Sequence, residues 1–334
     1  MKRRKFMHAA MQSSVGLWVG QRMHFEKKHS SSKILIGIIG LDTSHAIAFS
    51  KILNSPSATP NTGFEVTHAY PWGSHAIESS TSRIPGYTED IQKLGVVIVD
   101  SIEVLLREVE VVLLLTNDGR LHLEQAMQVF EAGKPVFIDK PIAASLSDTI
   151  RIIEAARKYK VPMFSASALR FSPSTQEVAG GKKIGKILGA DTYSPATLEK
   201  SHPDLYWYGV HGVEALFTVM GSGCERVRRV YRDEMDFVVG EWFDGRIGTF
   251  RGIRSGKKDY GGTAFGENGI APVGLYEGYE HLVGEISNFF QTGQSPFAAE
   301  ETLEIFAFME AADESKRRGG VPVSLAEVME KAKF

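Results

Sequence analysis

One segment of the chain combines residue types and a position that favour acid–base chemistry. In the run from Lys134 to Pro141, the apolar residues Val136-Phe-Ile138 are followed directly by Asp139 and Lys140. The apolar run predicts a short buried strand, and open α/β sheets bind ligands at the carboxyl ends of their strands. A protonated lysine there can donate a proton or a hydrogen bond to a hydroxyl or carbonyl oxygen. The alternative is a surface ion pair, which stabilises a protein little.

A second candidate for proton transfer is His211, which follows the aromatic run Tyr206-Trp207-Tyr208. Glu214 stands three residues further on, so a helix places the two side chains on one face. Histidine exchanges a proton near neutral pH. Trp207 and Tyr208 offer an apolar surface on which the C–H face of a sugar can stack. A purely structural role, with the histidine and the aromatic residues in the core, is the alternative.

The first predicted strand is followed by a loop, Gly40-Leu-Asp42-Thr43-Ser44-His45, at the place where dinucleotide-binding folds carry G-x-G-x-x-G. Only the first glycine is present. We expect Asp42 at the N-cap of the next helix, where its carboxylate would satisfy backbone N–H groups but oppose a phosphate. A displaced pyrophosphate held by Thr43 and Ser44 reconciles the two interpretations.

Two further strand ends bear on cofactor binding. Thr116 and Asn117 end the fourth predicted strand, where they would lie beside a nicotinamide or ribose, or where Asn117 and Asp118 would simply cap the next helix. The second strand is followed by Tyr70-Pro-Trp72, without the acid that usually binds the adenosine ribose. These two aromatic residues either stack on an adenine or cover the sheet edge.

The elements that position these residues change character along the chain. Strands alternate with helices from Lys33 to about residue 165, which predicts right-handed βαβ units and a doubly wound Rossmann-type domain. In the second half, Asp244-Gly245 joins two alternating runs and predicts a hairpin. We therefore expect an export signal or tail at 1–32, a dinucleotide-binding domain at 33–165 and a substrate and oligomerisation domain at 166–334.

Three further segments of the second half carry predictions. Val210 to Met220 is expected to be a helix, and two late helices, from about Tyr276 to Phe290 and from Glu300 to Arg318, are expected to pack back on the first domain. Lys257 to Gly274 holds five glycines and is predicted to be a loop over a pocket. The fold class is thus α/β, with a parallel sheet followed by an open, mainly antiparallel one.

Charge excludes some functions and suggests a location. Residues 1–30 hold seven Lys or Arg and one acid, which leaves 31 basic and 39 acidic residues, so the body lacks the basic character of a nucleic-acid partner. The start, Lys2-Arg-Arg-Lys-Phe6, resembles a twin-arginine export signal, so we expect a periplasmic or otherwise exported protein, the alternative being a basic tail on a cytoplasmic one. No stretch predicts a membrane span, and Asp42, His45, His68 and His75 lack the spacing of a metal site.

Together these segments resemble the Gfo/Idh/MocA family of oxidoreductases, from about Lys33 to Leu325. The best-matching stretches are Val111 to Ser145, which contains T-N-x-x-x-L-H and A-G-K-P-V-F-I-D-K-P-I-A, then Ala168 to Pro173, and the tail from Ala311. The resemblance implies a Rossmann domain followed by an α/β domain with an open sheet. It also implies NAD or NADP as cofactor and hydride transfer at a sugar or cyclitol carbon.

The resemblance assigns Lys140 as the catalytic lysine and His211 as the catalytic histidine. The family commonly has an aspartate four residues before that histidine, where this chain has Trp207, so Asp204 or Glu214 would have to replace the acid. The substrate residues predicted are Trp207, Tyr208 and Glu214. The cofactor residues predicted are Gly40, Asp42, Thr43, Ser44, His45, Thr116, Asn117, His122, Asp139, Lys140 and Arg170.

We therefore expect an NAD(P)-dependent oxidoreductase that acts on a carbohydrate or polyol. The alternative is a redox-inactive carbohydrate-binding member, or one that uses bound NAD for a lyase-like reaction. An exposed sheet face in the second domain predicts a homo-oligomer.

Overall fold

Residues 33–55 and 63–333 are described by a computed structural model of the chain. The predicted export signal or tail, residues 1–32, lies outside the described residues, and the predicted limits of the two domains stay predictions. In the described ranges, no helix is both long and apolar enough to cross a membrane.

The first half forms a parallel sheet with helices on both faces. Its strands are β1 (Ile34–Ile39), β2 (Phe64–Tyr70), β3 (Val97–Ile98), β4 (Val111–Leu114), β5 (Val136–Ile138) and β6 (Met163–Phe164). Its helices are α1 (Ser44–Leu53), α2 (Glu78–Thr81), α3 (Ile84–Lys93), α4 (Ile102–Glu108), α5 (His122–Glu131) and α6 (Leu146–Tyr159). The strand order is β3-β2-β1-β4-β5-β6, which confirms the predicted Rossmann-type domain.

The order of these strands explains where a site can form. The chain runs outward from β1 to β2 and β3 and then crosses back to β4 on the other side of β1, so a cleft opens between the loops at the carboxyl ends of β1 and β4. Every residue of β4 and β5 is buried, as their continuous apolar runs predict for central parallel strands.

The second half forms a seven-stranded mixed sheet. Its strands are β7 (Ile187–Pro195), β8 (Cys224–Arg232), β9 (Met235–Trp242), β10 (Ile247–Ile253), β11 (Gly261–Gly266), β12 (Gly269–Pro272) and β13 (Val323–Ser324). Its helices are α7 (Pro173–Gln176), α8 (Asp204–Trp207), α9 (Val210–Met220), α10 (Glu280–Thr292), α11 (Ala299–Arg317) and α12 (Leu325–Ala332). The order is β12-β11-β7-β10-β9-β8-β13, and among the described strands of this second sheet only β7 and β10 pair in parallel.

Local sequence signals place two of these elements correctly. The hairpin at Asp244-Gly245 joins β9 to β10, and Gly245 adopts a φ of 87°, which a residue with a side chain rarely does. Helix α9 has the predicted bounds, and its apolar side packs on β7 and β10.

The prediction of a loop from Lys257 to Gly274 was wrong, because most of that segment forms the hairpin of β11 and β12. Its glycines serve close packing rather than mobility. A Cβ added at Gly262 would lie 2.3 Å from the carbonyl oxygen of Asp191 on β7, so β11 needs glycine there.

The two late helices contact elements of the parallel sheet. Helix α10 packs on α1, and the ring centroids of Phe289 and Phe164 lie 4.9 Å apart. Helix α11 packs both on α6 and on β8 of the second sheet. The C-terminal helices therefore fix the relative position of the two sheets.

A fully buried arginine ties α11 to the second sheet. The Arg229 guanidinium donates to Asp236 on β9 at 2.8 Å from Nε and also bonds to Asp313 on α11. A third carboxylate, Asp204, accepts from its Nη2 at 2.8 Å. Removing the guanidinium would leave the buried Asp313 carboxylate without a counter-ion, whereas Asp236 keeps Arg254 and Asp204 keeps Lys316.

A histidine joins the loop before α8 to the end of the parallel sheet. The backbone N–H of Gly119 donates to His202 Nε2 at 3.1 Å, and the ring lies 4.9 Å from that of Trp207. Burial lowers the pKa of His202 to about 4, although the nearby charge of Asp118 opposes the shift. The imidazole is therefore neutral in the folded chain at pH 7.

We predict that Arg229→Met lowers the free energy of unfolding by about 3 to 5 kcal/mol, because it leaves the buried Asp313 carboxylate without its partner. Urea denaturation measures the loss. The matched control is Arg226→Met at an exposed position of the same strand, where a change within about 0.5 kcal/mol is expected. Equal effects of the two substitutions would contradict the role of Arg229.

We predict that His202 makes the fold sensitive to acid. Its folded pKa of about 4 lies below the value of about 6.5 in an unfolded chain, so the unfolded chain binds a proton that the folded one does not. The free energy of unfolding should fall as the pH drops from 7 to 5. In His202→Gln this fall should be smaller by about 2 kcal/mol. Denaturation at both pH values tests this, and an unchanged pH dependence would contradict it.

Candidate functional site

A cavity of about 690 Å³ opens at the carboxyl ends of β1, β4 and β5 and is closed on the other side by the second half of the chain. The predicted site residues that line it are Thr43, Ser44, His45, Asn117, Lys140, Trp207, Tyr208 and His211. The predicted residues that lie outside its wall are Gly40, Asp42, Thr116, His122, Asp139, Arg170 and Glu214.

Lys140 lies in the cavity wall with its ammonium group free of any carboxylate. Its Nζ is 5.8 Å from the centroid of the Tyr208 ring, and the peptide bond to Pro141 is cis. The residue is 9% exposed. Among the described residues, no acid forms an ion pair with it, so the side-chain pair with Asp139 that the sequence suggested is not formed.

Asp139 is instead held by His45. Its Oδ2 accepts from His45 Nδ1 at 2.6 Å, and its Oδ1 accepts the backbone N–H of Lys140 at 2.8 Å. Burial alone would raise the pKa of Asp139, but the charges of His45 and Lys140 and these hydrogen bonds lower it to about 2. The carboxylate is therefore ionised and neutralised behind the cavity wall.

His45 occupies the third-glycine position of the dinucleotide loop and connects to a tyrosine of the second half. Its Nε2 lies 3.1 Å from the Tyr279 hydroxyl, and its ring stacks on Phe49 with centroids 5.2 Å apart. Burial raises the pKa of Tyr279 above its usual range, so the phenol keeps its proton. Asp139, His45 and Tyr279 form one hydrogen-bonded chain that reaches the cavity.

His211 has a serine as its partner rather than an acid. Its Nδ1 lies 2.7 Å from Ser167 Oγ, and Nε2 has no hydrogen-bond partner in the part of the chain that the structure describes. Burial, helped by the charge of Lys140, lowers the pKa of His211 well below its ordinary value. The ring is therefore neutral at pH 7.

Neither proposed substitute for the missing family aspartate contacts His211. Glu214 accepts the backbone N–H of Ser167 at 2.8 Å and the Nε–H of Arg170 at 2.7 Å. Asp204 bonds to Arg229 and to Lys316. Glu214 thus positions the serine that holds the histidine, and Asp204 belongs to the core of the second half.

The prediction that Asp42 caps α1 was wrong. The N-cap is Thr43, whose Oγ1 accepts the N–H of His45, because the helix begins only at Ser44. Asp42 is fully buried and accepts the backbone N–H groups of Ser74 and Asn117 at 3.1 and 3.0 Å. Burial raises its pKa despite these bonds. Its carboxylate holds loops together and does not face the cavity.

The predicted capping of α5 by Asn117 and Asp118 was also wrong, because the N-cap is Leu121 and has no side-chain bond. Asn117 Nδ2 donates to Ser80 Oγ at 3.3 Å. Asp118 accepts from Ser74 and from the Arg120 guanidinium. Both residues serve the loop between β4 and α5.

His122 and Arg170 support the site from outside its wall. The ring nitrogens of His122 lie 2.6 Å from the Thr116 carbonyl oxygen and 3.2 Å from that of Ile142, so the ring joins the segments after β4 and β5. Arg170 lies between Glu214 and Glu301, with Nη1 2.7 Å from Glu301 Oε1. These residues position the cavity and do not line it.

Sequence reasoning missed several residues of the wall. Tyr260 lies 5.7 Å from His211 between ring centroids, and Tyr276 lies 5.5 Å from Tyr279. They stand in irregular segments without a periodic pattern, so no local signal indicated them. The other missed residues of interest are Arg83 and Lys258.

The described residues contain no cluster of His, Cys, Asp and Glu that could hold a metal ion. His68 bonds to the Thr67 hydroxyl, and His75 stacks on Trp72 with centroids 5.5 Å apart. Trp72 is 48% exposed, so its ring remains accessible.

The arrangement around α1 fits a dinucleotide. Gly40 has a φ of 92°, and a Cβ there would lie 2.6 Å from the backbone of Thr116, so the one retained glycine is required by the turn. The N-terminus of α1 opens on the cavity through Thr43 and the exposed Ser44, and Arg83 lines the same wall. Helix termini and arginine both favour phosphate.

Known structures share this fold along almost the whole chain. The scyllo-inositol dehydrogenase of Lactobacillus casei, solved with bound NAD(H) and scyllo-inositol, covers 88% of this chain and 100% of its own at 16% identity, with a TM-score of 0.68. A probable dehydrogenase from Thermotoga maritima covers 88% and 100% at 19% identity, with a TM-score of 0.70. GenD2 of gentamicin A biosynthesis, solved with NAD, covers 88% and 96% at 16% identity, also at 0.70.

A family model matches the first half of the described chain. Residues 34–167 match the oxidoreductase family with an NAD-binding Rossmann fold that is named GFO_IDH_MocA. The match covers the parallel sheet and the loops that line the cavity, and it confirms the resemblance and the NAD-type cofactor inferred from the sequence. Over residues 34–167 the chain therefore matches the NAD-binding Rossmann domain of the Gfo/Idh/MocA oxidoreductases.

Proposed function

We propose that this protein is an NAD(P)-dependent oxidoreductase that transfers hydride to or from a carbon of a carbohydrate or polyol. One observation carries the proposal. The free ammonium of Lys140 and the neutral imidazole of His211 line the same cavity as the open N-terminus of α1. A proton-handling pair beside a phosphate-binding helix end is the arrangement that such a reaction needs.

The residues around α1 would hold the cofactor. The N–H groups at the start of the helix and the Arg83 guanidinium would bind the pyrophosphate, and Asn117 would lie along the path toward Lys140. When bound, the nicotinamide supplies the hydride acceptor or donor. The buried Asp42 presents no charge to the phosphates, since it lies outside the cavity wall.

Lys140 and His211 would both act on the reacting oxygen, one as hydrogen-bond donor and the other as proton acceptor. The Lys140 ammonium donates a hydrogen bond to that oxygen and stabilises negative charge that develops on it. His211 accepts the hydroxyl proton at Nε2, which requires that Nδ1–H donates to Ser167 Oγ. Ser167, whose backbone N–H is bound by Glu214, therefore positions His211 in place of the aspartate that the family commonly has.

Aromatic rings support a carbohydrate or polyol as the substrate. Tyr208, Tyr260, Tyr276 and Tyr279 all line the cavity and offer apolar faces beside polar hydroxyls. The similar Lactobacillus casei enzyme was solved with scyllo-inositol, which agrees with this class.

A second candidate is a family member that binds a carbohydrate without redox turnover, or that keeps NAD for a lyase-like reaction. It is favoured by the serine that replaces an acidic partner for His211. Incubation of a polyol panel with added NAD(P)+ separates the two, because only the first candidate raises the 340 nm absorbance in steady state as NAD(P)H forms.

We further propose that the protein is exported and self-associates. The twin-arginine pattern supports export, and the second sheet exposes apolar residues such as Ile247 and Ile270, which are 53% and 69% exposed. Cell fractionation of the full chain and light scattering on the purified protein test the two statements. Retention in the cytoplasm, or a monomeric mass, would contradict the respective one.

We predict that Lys140→Met lowers turnover on the active polyol by at least about 100-fold, because the reacting oxygen loses its charged donor. Cofactor affinity, followed by NAD(P)H fluorescence, should stay within about 3-fold. Lys51→Met, at an exposed position of α1, is the control. Full turnover of the Lys140 variant would exclude this lysine from the chemistry.

We predict that activity persists below pH 6.5. His211 must be neutral to accept a proton, and burial lowers its pKa, so the neutral form is kept as the pH falls through the usual histidine range. A profile of kcat/KM in the oxidation direction should stay flat from pH 7.5 to below 6.5. A midpoint at or above 6.5 that vanishes in His211→Asn would contradict the lowered pKa of His211, and activity that His211→Asn leaves intact would contradict its role as the proton acceptor.

A further inference from the structure

The wall of the cavity carries positive charge without any negative charge. Arg83, Lys140 and Lys258 line it, whereas no aspartate or glutamate does among the described residues. None of the three cations forms an ion pair with a carboxylate in the described ranges. Of the three, only Lys140 is buried, and it differs from a buried cation such as Arg170, which pairs with Glu214 and Glu301.

Three carboxylates near the cavity wall are paired with cations or histidine away from the cavity. Asp139 is bonded to His45 and Glu214 to Arg170, both behind the wall. Asp259, next to Lys258 in sequence, lies 3.6 Å from the ammonium of Lys257 and faces solvent. A ligand in the cavity therefore meets the three cations uncompensated.

The proposed function uses only two of these cations. Arg83 lies by α1, where α3 packs on that helix, and would meet the pyrophosphate. Lys140 would meet the reacting oxygen. Lys258 takes no part in the proposed cofactor binding or proton transfer.

Lys258 lies on the substrate side of the cavity. It is two residues before Tyr260, whose ring contacts those of His211 and Tyr276 at 5.7 and 6.1 Å. It comes from the second half of the chain, away from the β2 end where an adenosine would lie. Its side chain is exposed and lines the cavity, so it can meet a ligand without a large desolvation cost.

We propose that the substrate is an anionic sugar or polyol, whose carboxylate or sulfate group is bound by Lys258 at the mouth of the cavity. This inference rests on the proposed function for the identity of the cavity as a substrate site. The anionic group binds to Lys258 while the ring stacks on the tyrosines and the reacting hydroxyl reaches Lys140 and His211. The positive wall also repels cationic amino sugars.

The test is calorimetric titration of the full chain with matched pairs of ligands. D-glucuronate and D-galacturonate are compared with D-glucose and D-galactose, and D-glucose 6-sulfate is the sulfate arm. Titrations are run with Lys258→Gln and with the matched control Lys257→Gln, whose side chain lies outside the cavity wall. NADH binding by fluorescence is a separate arm on the same samples.

We expect a charged ligand to bind about 5 to 10-fold more tightly than its neutral parent at low salt, as one partly exposed ion pair allows. Lys258→Gln should remove that preference and Lys257→Gln should leave it. About 0.5 M salt should weaken it as well. Preference for the uronates identifies a carboxylate, and preference for the sulfated sugar identifies a sulfate ester.

Three results would overturn the inference while NADH still binds: equal binding of charged and neutral ligands, a preference that Lys258→Gln leaves intact, or no binding of any charged ligand. Absence of NADH binding would instead overturn the proposed function. A preference that depends on Lys258 would then still support the anionic ligand.

Discussion

Burial removes the water that would hydrate the Asp139 carboxylate at the end of β5. The hydrogen bond from His45 replaces that lost hydration. The bond joins the end of β5 to the start of α1, the two edges between which the cavity opens. The other ring nitrogen of His45 forms a hydrogen bond with Tyr279, which lies in the segment before α10. The two hydrogen bonds of His45 thus hold together three parts of the chain that are far apart in sequence.

The same bond determines the charge of the site. Because Asp139 is committed to His45, the adjacent Lys140 keeps an ammonium group with no carboxylate beside it. That positive charge also helps to keep His211 neutral. An unpaired cation and a neutral imidazole form a complementary pair, one able to stabilise negative charge on an oxygen and the other able to accept its proton.

The sequence predicted those parts of the fold that depend on local patterns. The all-apolar runs of β4 and β5, the helix Val210–Met220 and the Asp244-Gly245 hairpin follow from burial, helical period and turn geometry. The glycines of β11 led to the wrong prediction of a loop, because they are needed where β7 approaches β11 closely. A glycine that serves a mobile loop and one that serves tight packing look the same in a sequence.

The candidate site was predictable only where a motif or a resemblance marked it, as at Lys140 and His211. Asp42 was expected to cap the N-terminus of a helix, but two backbone N–H groups from distant loops bind it in the interior. Ser167, Tyr260, Tyr276 and Tyr279 reach the cavity from irregular segments, so only the tertiary structure reveals them. Partners that are brought together by long-range packing leave no spacing in the sequence.

A crystal structure of the full chain grown with NADH or NADPH tests the central claim most directly. The account predicts the pyrophosphate at the N-terminus of α1 beside Arg83, with the nicotinamide ring facing Lys140 and His211. A nucleotide bound elsewhere, or a cavity that stays empty at saturating cofactor, would contradict it.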